Sequence, residues 1–483
     1  MHDAPYDLVV IGAGPAGQSA AELAATFGRR TIVVEHDRPG GVVTTTGGAP
    51  TKTLREAAVH LTGFGQHEVY GTGTALPLTE VMPIIRKRLA EVRDQLQDQV
   101  TDQLAERGID YLRGTARLGP DRTVLVERPD GTVRELAAGT VLIATGSRPA
   151  HFPGIDFTDP DVYDSDRIYE ISTAPGDMVV VGGGAVGVEY ASVLTALGIP
   201  VTLVSGTDRL LPTMDGELAA LVADELAARG VRLLLGVDVR QVGRVDGRLT
   251  VALSTGEDLG TGAVLVAAGR RPNTEGLGLA EAGVRLDERG RIDVDAYHRT
   301  SAEGIYAAGD VIGPTLASTS KQQGRAAAAH ACGLVFGVSL DRVPSSAVYG
   351  LPEVAGVGLT EEQVQAAGTP YAVGRCELSA TARGAIAGHG GRLKLIFRAS
   401  DRTLLGVHCV GDIAAELVGL GHVVMRTGAG LELLLSLGLN TPTYSSAYHD
   451  AAVDGLARLS EVMGHGRRMP LPGRGPSVPP ATR

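Results

Sequence analysis

Two short stretches of this chain are built to hold phosphate. Gly12-Ala13-Gly14-Pro15-Ala16-Gly17 and Gly182-Gly183-Gly184-Ala185-Val186-Gly187 both carry glycine at the first, third and sixth places. In such a turn the first glycine permits a tight reversal, the next lets the backbone approach a pyrophosphate, and the last lets the following helix pack on the strand. The helix N-terminus adds free amides and a partial positive charge. The chemistry implied is dinucleotide binding, twice over. Each turn needs a strand before it and a helix after it. Tyr6 to Ile11 reads as a buried strand and Gln18 to Phe27 has helical composition; Asp177 to Val181 and Val188 to Leu197 repeat the arrangement. Glu35 closes the strand Thr31-Ile32-Val33-Val34, about 20 residues past the first turn, where an acid can bind a ribose 2′-hydroxyl. The second copy lacks that acid. Val201 to Val204 runs into Ser205-Gly206-Thr207-Asp208-Arg209, with Ser205 in the acid's place and no arginine pair to mark a 2′-phosphate pocket. Arg209 could approach a phosphate or be a solvated surface charge, which leaves the choice between NADH and NADPH open.

The rest of the composition bounds the reading. A chain of 483 residues exceeds one ordinary core and predicts two to four domains. Its 43% hydrophobic and 20% charged content is that of a soluble globular protein. No apolar run reaches the ~20 residues that span a bilayer, and the start, MHDAPYD, has no basic or apolar leader pattern, so a cytoplasmic protein without membrane insertion is expected. A net charge of -11 argues against nucleic acid as the main partner. Cys332, Cys376 and Cys409 are widely spaced, without a CxxC pattern, and read as buried reduced thiols. Ile85, Leu89, Val92, Leu96, Val100 and Leu104 form an apolar helical stripe expected in core or dimer packing. The last ~20 residues, rich in Pro, Gly and Arg, predict a disordered tail over 463–483.

Further motifs carry a family resemblance. Thr300 to Asp310 reads TSAEGIYAAGD; Thr140 to Pro149 (TVLIATGSRP) is echoed by Ala263 to Pro272 (AVLVAAGRRP); Leu351 to Glu361 reads LPEVAGVGLTE; and Gly40 to Lys52 reads GGVVTTTGGAPTK. In this order and at this spacing, over roughly residues 5 to 460, the chain resembles the pyridine nucleotide-disulfide oxidoreductases, the family of lipoamide dehydrogenase and glutathione reductase. The resemblance implies an α/β fold with two Rossmann-like dinucleotide-binding domains and a C-terminal α+β dimerisation domain. An FAD domain would comprise 1–150 and 275–343, an NAD(P) domain 151–274 and an interface domain 344–462, in a homodimer. It further implies FAD contacts at Gly12, Gly14, Pro15, Ala16, Gly17, Glu35, Gly41, Lys52, Thr115, Ala116, Ala144, Thr145, Gly146, Gly309, Asp310, Leu316, Ala317 and Ser318, with Asp310 on the ribityl chain and the helix near Leu316 aimed at the flavin edge. NAD(P)H would meet Gly182, Gly184, Val186, Gly187, Glu189, Ser205 and Gly269, with small Ala185 leaving the nicotinamide face open. Lys52 matches the family lysine beside flavin N5, and Glu189 its ion-pair partner; with only four lysines in the chain, Lys52 is not an incidental surface charge.

The departures from the family are as informative. Aligned without a gap, the two redox cysteines fall on Val43 and Gly48, which cannot form a disulfide or attack a flavin. Near the C-terminus the family's His and Glu, the acid/base pair for thiol chemistry, fall on Thr441 and Ser446, while His449 stands two helical turns away. Leu316-Ala317-Ser318, Gln323-Gly324-Arg325 and Asn440 to Thr443 are most similar to the soluble pyridine nucleotide transhydrogenases and related quinone reductases. The implied activity is hydride transfer from NAD(P)H to FAD and on to a small non-disulfide acceptor: a quinone, a second nicotinamide nucleotide or a biosynthetic intermediate. The acceptor would lie against Val43, Thr44, Gly48 and Thr441. A flavin-dependent dehydrogenase or oxidase of a small metabolite, and a non-catalytic flavin-binding sensor or scaffold, are the alternatives.

Overall fold

A computed structural model describes residues 4–62, 78–171, 173–334, 343, 345–388 and 390–462. The expected disordered tail, 463–483, lies outside the described residues. Two compact units emerge, Met1–Ala355 with Val410–Ala415, and Gly356–Cys409 with Glu416–Arg483.

The first unit opens with β1 (Tyr6–Ile11), α1 (Pro15–Thr26) and β2 (Thr31–Glu35), then α2 (Val42–Thr45), α3 (Ala49–Thr62), α4 (Leu78–Glu106), β3 (Asp110–Arg113), β4 (Thr115–Leu118), β5 (Thr123–Glu127) and β6 (Val133–Ile143). β1 pairs in parallel with β2 and β6, with Val9 opposite Ile32 and Val141. The order β3-β2-β1-β6-β5-β4 puts the most apolar strands at the centre, covered on both faces, which is why they read as continuous Val/Ile/Leu runs. α1 begins at Pro15, inside the glycine turn and three residues earlier than composition suggested. Proline's fixed φ suits the first helical position, and the missing N–H costs nothing there.

The second glycine turn repeats this local plan. After β7 (Ser147–Pro149) and β8 (Val162–Asp164) come β9 (Met178–Val181), α5 (Ala185–Ala196), β10 (Val201–Ser205), α6 (Gly216–Ala228), β11 (Arg232–Leu235), β12 (Val239–Val245), β13 (Arg248–Leu253), β14 (Asp258–Thr261), β15 (Ala263–Val266) and β16 (Arg270–Pro272). The parallel sheet runs β11-β10-β9-β15-β8, and β12-β13-β14 form an antiparallel sheet. The two sequence echoes at 140–149 and 263–272 end as partners, β7 and β16, with Arg148 opposite Arg271. The chain then returns to the first sheet through β17 (Ile305–Ala307), which pairs with β6, and enters α7 (Ala317–Ala331).

Four further strands follow α7: β18 (Ser345–Val348), β19 (Glu353–Gly358), β20 (Tyr371–Glu377) and β21 (Arg392–Arg398). A fifth, β22 (Leu404–Gly411), comes after them. Wholly within the second unit, β20 pairs antiparallel with β21 and packs against helix Ala447–Val462, where a Cβ on Gly374 would overlap the Ala451 carbonyl. Val364, Val373, Ile396 and Leu405 form a core beneath. In α4 the expected stripe shifts. Val81, Met82, Ile85, Leu89, Val100 and Leu104 are buried, but Val92 and Leu96 are half-buried and Gln97 takes a core place, its amide oxygen accepting from Arg38 at 3.1 Å. No helix among the described residues is long and apolar enough to cross a membrane.

Candidate active site

The first glycine turn is closed by its own backbone. Gly12 has φ +108°, and a Cβ there would overlap the Ala144 carbonyl oxygen; a Cβ on Gly17 would overlap the Gly12 carbonyl. Gly14 is the open member, with only Gly41 Cα within 4 Å of its missing Cβ, at 3.9 Å. Gly14 caps α1 without any side-chain hydrogen bond, and no acidic residue occupies the first turn, so the amides there are left for a ligand. Glu35 is buried at the end of β2. Burial disfavours its charged form, but hydrogen bonds from His36, the Ala13 amide (2.8 Å) and the Asp37 amide (3.1 Å) outweigh it and hold the carboxyl below the usual glutamate range.

Asp310 stands just after β17. Ser147 Oγ donates to one of its carboxylate oxygens at 2.7 Å, and the Thr315 amide to the other at 3.1 Å. Arg270 in turn donates to Ser147 Oγ (2.9 Å), to the Ser147 carbonyl (2.7 Å) and to Asp166 (2.8 Å), a connection that nothing in the sequence spacing announced. The Gly309 amide donates to Gln323 at 2.9 Å. α7 starts at Ala317 from Leu316 with no side-chain cap; Leu316 and Ser318 are exposed, and a Cβ on Gly324 would overlap the Ala16 carbonyl. Ala144 is buried at the end of β6, Thr145 bonds the Asn273 carbonyl at 2.7 Å and Gly146 accepts from the Asn273 amide at 3.0 Å; on β4 Thr115 is exposed and Ala116 buried.

Lys52 and Glu189 meet. Lys52 Nζ, on α3, lies 3.0 and 3.2 Å from the two Glu189 oxygens on α5. The pair is unevenly buried: 31% of the Lys52 side chain stays accessible, against 10% for Glu189. Thr51 Oγ accepts from Lys52 at 3.0 Å, the Tyr349 ring lies 4.7 Å from its ammonium, and the Tyr349 amide donates to Glu189 at 2.8 Å. Tyr349 escaped sequence reasoning because a single tyrosine at long range leaves no spacing signal. Upstream, Gly48 packs so tightly on α2 that a Cβ there would overlap the Val43 backbone. Thr44 is buried, with its hydroxyl bonded to the Pro39 and Gly41 carbonyls at 3.2 and 3.3 Å. The helical turn of α2 thus occupies this hydroxyl. Thr46, two residues on, has a buried hydroxyl with no hydrogen-bond partner among the described residues, as does Thr195 farther along the chain.

At the second turn a Cβ on Gly182 would overlap the Ala267 carbonyl and one on Gly187 the Gly182 carbonyl, the geometry of the first turn over again. Gly184 is open, Ala185 exposed, Val186 half-buried, and α5 too lacks a side-chain cap. Gly269, with φ +143°, accepts from the Ala150 amide at 3.0 Å. Ser205 Oγ is shared with Thr207 Oγ at 2.8 Å, and Arg209 donates to the Pro212 carbonyl at 2.9 Å.

Thr441 belongs to the second unit. There it lines a cleft of about 400 Å³ with Ser446, His449 and Asp450. His449, expected two helical turns out of place, thus shares a surface with Thr441, because the 3-10 turn Tyr444–Ser446 brings the start of the last helix back past it. The three cysteines are free; Cys376 and Cys409 are buried and Cys332 is partly exposed, a correction to its reading as a buried thiol. Burial, with Asp450 and Glu377 nearby, pushes the Cys376 thiol up to about 11, and burial raises Cys332 as well.

The residues present fit a dinucleotide such as FAD at the first turn. They combine an uncapped helix end, an open Gly14, a buried acid at the end of β2 and, in the segment leading to Lys52, a buried hydroxyl without a partner among the described residues. Comparison with known proteins agrees. Residues 6–324 match the family model described as pyridine nucleotide-disulphide oxidoreductase, and 344–452 match its dimerisation domain. Curated relatives named soluble pyridine nucleotide transhydrogenase are 39% identical in Mycobacterium tuberculosis, over 94% of this chain and 98% of theirs, and 36% identical in Pseudomonas aeruginosa, over 94% and 99%. Among solved structures, LpdA of M. tuberculosis superposes with a TM-score of 0.86 at 29% identity, covering 92% of this chain and 99% of its own. The HOCl-induced flavoprotein disulfide reductase RclA of Escherichia coli gives 0.83 at 27%, covering 93% and 99%.

Proposed function

The chain belongs to the pyridine nucleotide-disulphide oxidoreductase family, and we propose that it is an FAD-dependent oxidoreductase passing hydride from NAD(P)H to a second nicotinamide nucleotide, without a redox-active dithiol. The observation that carries the reading is the Lys52–Glu189 pair, kept at 3.0 Å, with Lys52 in a segment whose positions 43 and 48 hold no sulfur. FAD, when bound, supplies a ring that accepts a hydride and gives it up again. The chain supplies everything else. The first turn and the α1 amides would hold the FAD pyrophosphate, Glu35 its ribose and Asp310 its ribityl chain. Glu189 fixes the Lys52 ammonium by charge and hydrogen bonds, so that a positive charge stands ready where negative charge develops. The α7 N-terminus adds a second positive end. The second turn would hold the nicotinamide nucleotide, and Val43 and Gly48 would border the acceptor, with a quinone as the next candidate after a nucleotide.

On this reading segments 1–150 and 275–343 form the FAD domain, 151–274 the NAD(P) domain and 344–462 the interface of a cytoplasmic homodimer. Anaerobic mixing tests it. NADH or NADPH should bleach the flavin rapidly, and an oxidised nicotinamide analogue should restore its colour, whereas lipoamide and glutathione disulfide should not. Bleaching only by a small metabolite would favour a metabolite dehydrogenase, and bleaching by neither would favour a sensor.

A further inference from the structure

The second nucleotide site lacks an acid at the end of β10, and the fold brings one from elsewhere. Ser205, in that place, is buried with its hydroxyl turned to Thr207 and packed against the turn itself: a Cβ on Gly183 would stand 2.5 Å from Ser205 Oγ. The next residue, Gly206, has no side chain, and the space beside it is taken. A Cβ there would overlap Asp238 Oδ1 and lie 3.4 Å from Asp238 Cγ. Asp238 sits between β11 and β12, and backbone bonds on both sides fix it. Gly236 N–H donates to the Thr207 carbonyl (2.9 Å) and Val237 N–H to the Ser205 carbonyl (2.9 Å); Asp238 N–H donates to Ser254 Oγ (3.0 Å), and its carbonyl accepts from the Ser254 amide (2.8 Å). The carboxylate itself is exposed and has no hydrogen-bond or ion-pair partner among the described residues. Arg209, the cation that the sequence placed nearby, bonds the Pro212 and Met214 carbonyls at 2.9 and 3.3 Å, and Arg232 is paired with Glu257 at 3.0 Å.

We propose that Asp238 is the specificity-determining acid of the second site, selecting nucleotides with a free ribose 2′-hydroxyl, NAD(H), over their 2′-phosphorylated counterparts. A carboxylate accepts a charge-assisted hydrogen bond from a ribose hydroxyl and repels a 2′-phosphate. Reaching the ribose from the β11–β12 connection, it does the work of the acid that β10 lacks. Hydride exchange between the two nucleotide types would then be asymmetric, with NAD(H) held tightly and NADP(H) entering weakly.

The inference rests on the second turn being the nicotinamide nucleotide site, and the test separates the two. ADP-ribose and 2′-phospho-ADP-ribose carry the recognition elements but no nicotinamide, so calorimetric titration of the FAD-loaded protein reads binding without hydride transfer. The wild type should bind ADP-ribose at least roughly tenfold more tightly, the effect of one charge-assisted contact. Asp238→Asn and Asp238→Ser should weaken ADP-ribose, strengthen the phosphorylated probe and bring the ratio near one. A preference for 2′-phospho-ADP-ribose, which the exposed Arg240 would then have to supply, overturns the inference. So does a preference for ADP-ribose that both variants leave unchanged, although the proposed function survives that result. If neither probe binds while FAD is retained, the second turn is no nucleotide site and both readings fall.

Discussion

The Lys52 ammonium is held by two oxygens of Glu189, one of Thr51 and the face of Tyr349, and it keeps one side accessible. A cation fixed in this way stabilises charge on a ligand without having to reorganise. Lys52→Met is therefore expected to slow hydride acceptance from NADH by ~10²–10³ while leaving NADH affinity near the parent value. Anaerobic stopped-flow reduction measures both, and an unchanged rate would make the lysine structural. Breaking a fully buried pair costs roughly 3–5 kcal/mol. With Lys52 31% accessible the stability loss should fall below that range, and Glu189→Gln in the same chain should recover stability without recovering rate. The opposite experiment fails for a packing reason. Val43→Cys with Gly48→Cys restores the family's sulfurs, but a side chain at 48 overlaps the Val43 backbone, so disulfide reductase activity should stay absent unless α2 moves. Glu35 adds a pH dependence. Its folded pKa is depressed, so its contribution to stability is complete above the ordinary glutamate value of 4.5 and disappears as pH falls through the lower folded value. Thermal melts should therefore show an acid-side loss below 4.5 that is reduced in Glu35→Gln. Lys52 and Glu189 were legible because each stands at a fixed offset within a local motif. Asp238 and Tyr349 were not, because they reach the site by pairings 32 and 160 residues long that no local pattern encodes: Ser205–Val237 for the first, Glu189–Tyr349 for the second.

At the level of elements, two strand-turn-helix units share one geometry, and each can be broken separately. In both, the last glycine of the turn faces the carbonyl of the first so closely that a single methyl group overlaps it. Gly17→Ala should push α1 off β1 and yield protein with little FAD, seen as a fall in flavin-to-protein ratio. Gly187→Ala should keep its FAD and lose reduction by NADH. Equal loss of flavin in both variants would mean that the two turns do not serve separate ligands. The strands around these turns were readable because buried parallel strands are apolar throughout, a pattern that survives without an alignment. The face of α4 was not. Its period of three and four residues was real, but a period does not say where along a 29-residue helix the neighbours stop. Val92 and Leu96 are half-buried, while Gln97 is accommodated inside because Arg38 satisfies its amide oxygen. In the second unit the cleft shared by Thr441 and His449 was not legible either, since distance along an ideal helix ignores the tighter turn between them.

The whole molecule matches the family over its nucleotide-binding and dimerisation segments and carries no cysteine between Gly40 and Lys52, so on the proposed reading it works without the thiol half of the chemistry. Catalysis should then be indifferent to thiol reagents. A disulfide reductase is stopped by arsenite or alkylation because its working sulfurs lie at the flavin, reactive in the reduced state. Here the three cysteines lie at 332, 376 and 409; burial pushes the Cys376 thiol up to about 11 and raises Cys332, so those two carry little thiolate at neutral pH. None of them belongs to the segment from Gly40 to Lys52. NADH oxidation after prior reduction by NADH, in the presence of arsenite or iodoacetamide, should match the untreated rate. The only modification expected is slow alkylation at Cys332, the one partly exposed thiol. Mass spectrometry on the treated protein reads that modification alongside the rate. Loss of turnover in step with alkylation of a single cysteine would place a sulfur in the working site, and would require the Val43 and Gly48 alignment, and with it the non-disulfide acceptor, to be abandoned.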